Sequence, residues 1–228
     1  MAKTAHFSRA LFEFLAELSI NNDREWFKAN RDRYIADVRD PMLAFVADFA
    51  ERLHTISPHY VADPRPVGGS MFRINRDIRF SQDKSPYKNN VGVHFRHERA
   101  RDAHAPGFYL HLDPKEIFMG AGIWRPDKDA LLKIRAAILD RPAAWKKATG
   151  AAFRRRFTLG GESYKRPPVG VERDHPLFED LMRKDFIAVT DLSQADVRAA
   201  DFPKKFAALC KTGAPLTKFL AESLGLEF

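Results

Sequence analysis

The chain is poor in the features that usually make a function legible. It has one cysteine, Cys210, in 228 residues. That excludes an intramolecular disulfide and a cysteine-based zinc site. Cys210 lies in an apolar helical stretch and is expected to pack as a small hydrophobe. Nowhere do about 18 uncharged apolar residues run together, so no membrane span is expected. The apolar segment 11–20 is broken by Glu13 and Glu17 with no small-residue cleavage site after it, which argues against a signal peptide and for a cytoplasmic protein. The serine-hydrolase elbow, the Walker-type phosphate loop and the dinucleotide fingerprint are all missing. No repeat, low-complexity tract or shift in composition marks a second domain, so residues 1–228 are expected to form one.

What is present is a soluble, basic composition. Apolar residues make up 45% and charged residues 30%, and 38 Lys+Arg against 30 Asp+Glu leave a formal net charge of +8. Such a balance favours anionic partners, from small phosphates and carboxylates to nucleic acid.

Periodicity divides the chain into three. Helices are expected over about 8–57, with Ser8 as a first N-cap, Asn22 and Glu25 as a capping box, and Pro41 opening a third helix. From about 70 to 124 the period changes to two, the signature of a sheet. A mostly helical remainder follows over about 127–225. Asp127, Asp140 and Ser193 with Asp196 stand at its helix starts, Phe186 to Thr190 reads as one more strand, and two final helices are expected over about 202–211 and 214–224. The fold class expected is α+β: a mainly antiparallel sheet flanked by N-terminal and C-terminal helices.

Two features of the sheet region stand out. The segment 72–95 opens as FRINRDIRF, read as a strand with Phe72, Ile74, Ile78 and Phe80 on one face and Arg73, Asn75, Asp77 and Arg79 on the other, Arg76 being the odd member. A turn through Ser85-Pro86 then leads to Val91, Val93 and Phe95. Further on, 108–112 and 117–123 form a hairpin around Asp113 to Glu116. Pairing Leu112 with Ile117, Leu110 with Met119 and Phe108 with Ala121 collects the apolar residues on one face. On the other face His111 meets Phe118 and Tyr109 meets Gly120, and Gly120 and Gly122 leave the backbone bare. Either a packed helix or a ligand approaching the backbone covers that patch. The run 96–106 has no period and reads as an exposed loop.

Several of these stretches occur in an order that resembles a known family. NNDREWFKANRDRY (21–34), FRINRDIRFSQDKSPYK (72–88), FYLHLDP and FMGAGIWRP within 108–126, YKRPPVG (164–170) and DHP (174–176) are similar to those of a bacterial and fungal family of conserved hypothetical proteins, a domain of unknown function. The resemblance spans about Phe7 to Leu224. It implies a single α+β domain and carries no established activity, substrate, cofactor or catalytic residue. The chain departs from the family pattern at Gln82, where relatives usually carry a basic residue, and in a hairpin turn without glycine.

The candidate chemistry follows from residue types. Arg73, Arg76, Arg79, Lys84, Tyr87 and Lys88, with Lys165 and Arg166 from a later loop, form the candidate anion site, since guanidinium forks and ammonium groups suit phosphate and carboxylate. The competing account is structural, with Asp77 and Asp83 satisfying the arginines. Tyr109, His111 and Asp77 are the candidates for acid–base work. Asn30 and Tyr34, which share a helix face with Trp26, and Gly120 and Gly122 are the candidates for ligand approach. A metal alternative draws His111, Asp113 and His175 into a 2-His-1-carboxylate set for iron and an oxoacid. The leading expectation is a cleft for a phosphate- or carboxylate-bearing small molecule, with enzymatic action on it left open, no cofactor and no membrane. The rivals are a nucleic-acid binder, whose bases would stack on the interleaved aromatics, and a module for an acidic protein.

Overall fold

The computed structural model describes residues 5–99 and 104–228. Its helices are α1 (Arg9–Ile20), α2 (Arg24–Ala29), α3 (Arg31–Arg33), α4 (Asp40–His54), α5 (Lys128–Asp140), α6 (Pro142–Ala148), α7 (Ala151–Arg154), α8 (Phe178–Leu181), α9 (Gln194–Val197) and α10 (Phe202–Ser223). The strands are β1 (Tyr60–Val61), β2 (Val91–His97), β3 (Gly107–Leu112), β4 (Ile117–Ile123), β5 (Thr158–Gly160) and β6 (Phe186–Asp191). They form one antiparallel sheet in the order β1-β2-β3-β4-β6-β5. The α+β architecture is as the periodicity requires.

Alternation sorts the sheet into two faces. Val93, Phe95, Phe108, Leu110, Met119, Ile123, Phe186 and Ala188 are buried on one, against α4 and α10. Phe45 and Phe49 of α4 and Phe202 and Phe206 of α10 meet Phe95 there as an aromatic cluster with centroids 4.8–6.4 Å apart. Gly213 lets α10 lie close on β4: a Cβ there would stand 2.9 Å from the Cβ of Ala121. The opposite face carries Gly92, His94, Tyr109, His111, Gly120, Gly122, Ile187 and Val189, all in register with one another.

The β3–β4 pairing is the one expected, with Leu112 opposite Ile117, His111 opposite Phe118 and Tyr109 opposite Gly120. Other expectations need correcting. The segment 72–80 is not a strand: only isolated bridges, Met71 to Val93 and Asn75 to Tyr87, tie it to its neighbours. The aspartates explain this. Asp77 takes the Arg79 N–H and Asp83 takes the Ser85 N–H, so side-chain-closed turns replace a ladder. Phe80 consequently stands 95% exposed instead of facing the core.

Among the helices, Ser8 occupies the N-cap without a side-chain bond. Asp23, not Asn22, caps α2, accepting from the N–H groups of Glu25 and Trp26. The chain then runs through α3 and a π-helical turn (Tyr34–Arg39) straight into α4. Asp140 ends α5, and Pro142 begins α6 after Arg141. Asp127 and the Ser193–Asp196 capping box stand as expected. The two final helices are one: α10 passes through Pro215 unbroken. Burial of Phe206, Cys210, Gly213, Leu216, Thr217 and Leu220 along one face outweighs the single backbone hydrogen bond that a proline removes. Of the run 96–106, Arg96 and His97 belong to β2, Gly107 opens β3 just beyond it, and residues 100–103 lie outside the described residues.

Candidate functional site

The face of the sheet turned away from α4 and α10 is the floor of a cavity of about 700 Å³. Its shape comes from the register. The Tyr109 ring lies over Gly92 and the His94 ring over Gly107, where a Cβ on either glycine would overlap the ring above it. Along β4 the floor is bare: nothing approaches a Cβ built on Gly120 closer than 3.7 Å. Gly122 adopts φ +118°, and any side chain there would run into the Phe186 carbonyl.

Rings close the two ends. His111 stacks on Phe118 with centroids 4.7 Å apart and planes 12° from parallel. His104 stacks on Trp124 at 5.9 Å, with Nδ1 3.0 Å from the Trp124 carbonyl oxygen. Ile187 and Val189 of β6 form one side. The basic segment forms the other, contributing Phe72, Arg76, Asp77, Lys88 and Asn90. Phe72 belongs to the same aromatic floor, with centroids 6.3 Å from His94 and 6.0 Å from Tyr109. The basic segment and the open glycine face, read from the sequence as separate candidates, line one cavity.

Within the cavity Tyr109 Oη and His111 Nδ1 are 3.1 Å apart. Burial pushes the Tyr109 phenol up to about 12. Burial also lowers the His111 imidazole, against the opposing charges of Asp113 and Glu116. A neutral imidazole joined to a neutral phenol can accept or pass on a proton. The Lys88 ammonium sits 5.4 Å from the Phe72 ring centroid. Burial, and then the charge of Arg73, lowers its pKa. No carboxylate lies within ion-pair distance of Lys88 among the described residues.

Three other cations of the segment are engaged. Arg76 pairs with Asp83 and reaches Ser81 Oγ at 3.4 Å. Arg79 forks onto Asp77 at 2.7 and 3.0 Å, holding that carboxyl down to about 2. Lys84 Nζ donates to the Ile78 carbonyl at 3.0 Å. So the structural account holds for Arg76 and Arg79, while Lys88 stands apart from it. Arg73 is exposed outside the cavity lining, and Lys165 and Arg166 lie exposed on the 163–176 loop, also away from it. Tyr87 is buried, stacked 4.0 Å from Phe27.

Asn30 and Tyr34 do not reach the cavity. Asn30 donates to the Trp26 carbonyl and accepts from Arg33, and Tyr34 packs on Phe14 and Phe27. The metal set is not assembled: Asp113 accepts from Lys115 N in the hairpin turn and His175 Nδ1 accepts from Leu177 N. Among the described residues no group of three His, Cys, Asp or Glu side chains is placed to hold a metal ion. His175 sits three residues before the start of the short helix α8, on no strand of the sheet.

Sequence reasoning missed His94, Asn90, His104, Trp124, Ile187 and Val189. His94 and the two β6 residues carried a signal, since each alternates with a core residue. The pairing of β6 with β4 is non-local and left no trace in either strand.

Among curated proteins no significant match to the chain is found. No helix among the described residues is long and apolar enough to cross a membrane. Residues 10–219 match a family model covering the sheet, the basic segment and the cavity, and the chain belongs to that family, the conserved hypothetical proteins DUF2461.

Proposed function

We propose that the cavity is a binding site for a small molecule bearing a carboxylate or phosphate, with Lys88 as its principal anion contact. One observation carries this reading. Lys88 is a half-buried ammonium on an aromatic wall, and no carboxylate among the described residues neutralises it, whereas Arg76 and Arg79 are matched to Asp83 and Asp77. A cation kept in such surroundings gains most from an anion brought in with a ligand. Tyr109 and His111 offer that molecule hydrogen-bonding partners farther along the floor.

The test is a thermal-shift screen of small carboxylates and phosphates on the wild type, Lys88→Met and Lys165→Ala. Mono-anions are expected to raise the wild-type and Lys165→Ala midpoints and to leave Lys88→Met unmoved. A shift produced by short oligonucleotides alone, falling steeply with salt, would transfer the proposal to a polyanion surface.

A further inference from the structure

We infer that the molecule taken by this cavity is an amphipathic acid, its anionic head at Lys88 and an apolar body laid along the bare stretch of β4; this rests on Lys88 as the anion contact. Three observations lead there.

The first is the shape of the floor. Gly120 and Gly122 follow each other on the open face of β4, so a strand's width of side chains is missing between Tyr109 on β3 and Val189 and Ile187 on β6. Two strand spacings separate those flanking rows, about 9–10 Å. The Phe118 end and the Trp124 end bound the strip lengthwise. The result is a trough, long and one strand wide.

The second is what the trough lacks. β4 is an interior strand, and its backbone N–H and C=O groups are engaged in ladders with β3 on one side and β6 on the other. The neighbouring side chains Phe118, Ile187 and Val189 have no polar atom. The Tyr109 hydroxyl lies over Gly92 beside His111 Nδ1 and only its Cβ stands near Gly120, so a sugar or a nucleobase lying here would lose its hydrogen bonds to water and find few in return, at a cost in affinity. A hydrocarbon or aryl body would lose nothing and gain by burial.

The third is where the charge lies. Lys88, Arg76 and Asp77 all come from the 72–90 segment, beyond β2 and across Tyr109 from the trough. The charged contacts and the apolar trough are therefore on opposite sides of one cavity. A ligand that satisfies both must itself be polar at one end and apolar at the other.

Straight-chain carboxylates from butyrate to octanoate, kept below micelle-forming concentrations, test this by calorimetric titration, with glucose 6-phosphate as the polar-bodied anion. Kd is expected to fall roughly threefold to fourfold per added methylene until the trough is full. Gly120→Val should abolish that gain while leaving butyrate binding in place, and Gly120→Ala should weaken it in part. Unchanged thermal midpoints in the absence of ligand would show that both variants fold. Glucose 6-phosphate binding as tightly as octanoate through Lys88, or a chain-length gain that survives Gly120→Val, would overturn the amphipathic assignment and leave the anion site standing. Octanoate bound equally well by Lys88→Met would overturn both.

Discussion

The side-chain amide of Asn22 pairs with both main-chain groups of Tyr87: Oδ1 accepts from the Tyr87 N–H at 3.0 Å and Nδ2 donates to the Tyr87 carbonyl at 3.0 Å. The same Nδ2 donates to Asn89 Oδ1 at 2.9 Å. One polar side chain from the turn after α1 thus acts as a strand neighbour to a segment 65 residues away. Together with the Phe27–Tyr87 stack, it fixes the residues on either side of Lys88.

Asn22→Ala should therefore act on stability and on binding together. It leaves the partly buried N–H and C=O of Tyr87 without their partner, which costs about 1–3 kcal/mol. Urea unfolding should show the loss as a lower midpoint at unchanged slope. Anion affinity should fall as well, because Lys88 is held through Tyr87 and Asn89. A variant as stable as the wild type would show that water replaces the amide at little cost.

The two glycines of β4 should respond differently to the same added methyl group. Gly120→Ala places its Cβ 3.7 Å from the nearest atom, Tyr109 Cβ, and stability should change by less than about 1 kcal/mol. Gly122→Ala combines φ +118° with an overlap on the Phe186 carbonyl, a backbone atom that cannot swing aside. Strain and overpacking together should cost more than about 2 kcal/mol. Equal midpoints for the two variants in thermal unfolding would contradict the placement of these residues.

His111 should make stability depend on pH. Its pKa is lowered in the folded state by burial, as is that of His97, so between the folded value and the unfolded value of about 6.5 the unfolded chain binds more protons. Stability is then complete above the unfolded value and declines as pH falls through it toward the folded values. His111→Gln should make the decline shallower, read from urea midpoints between about pH 5 and 7.5. His97, buried against Tyr60 and stacked on His59 at 5.5 Å, should contribute to the slope that remains.

How much of this was legible in the sequence depended on range. The β3–β4 hairpin could be read residue by residue, because Leu110 and Met119 alternate with Tyr109 and Gly120 and only one register puts all the apolar partners together. The basic segment could not. Its alternation of charge and hydrophobe has the period of a strand, yet Asp77 and Asp83 sit where their carboxylates close turns on Arg79 and Ser85. Nor could the joining of segment and glycine face in one cavity be foreseen. It depends on Asn22 reaching Tyr87, and Asn22 also satisfied the local pattern of a helix cap, a role that Asp23 fills. Arg73, Arg76 and Arg79 drew attention by number. In the proposed site Lys88 counts by position, and position is tertiary.

Anion binding should carry the titration of Lys88 as its signature. The ammonium's pKa is lowered, chiefly by burial and further by Arg73, so deprotonation begins at a lower pH than for a lysine in water. Only the protonated form attracts a carboxylate, and a bound carboxylate stabilises that form in turn. Affinity should consequently be flat at neutral pH and weaken as pH rises through the depressed value. In that range binding must be accompanied by proton uptake at Nζ. Calorimetric titration in two buffers of different ionisation enthalpy measures the uptake directly, which should approach zero at neutral pH and grow as the buffer becomes alkaline. Arg73→Ala removes a neighbouring positive charge, raises the Lys88 pKa and should move the onset of uptake to higher pH. Uptake that stays at zero while affinity falls would place the titrating group elsewhere and remove Lys88 from the centre of the site.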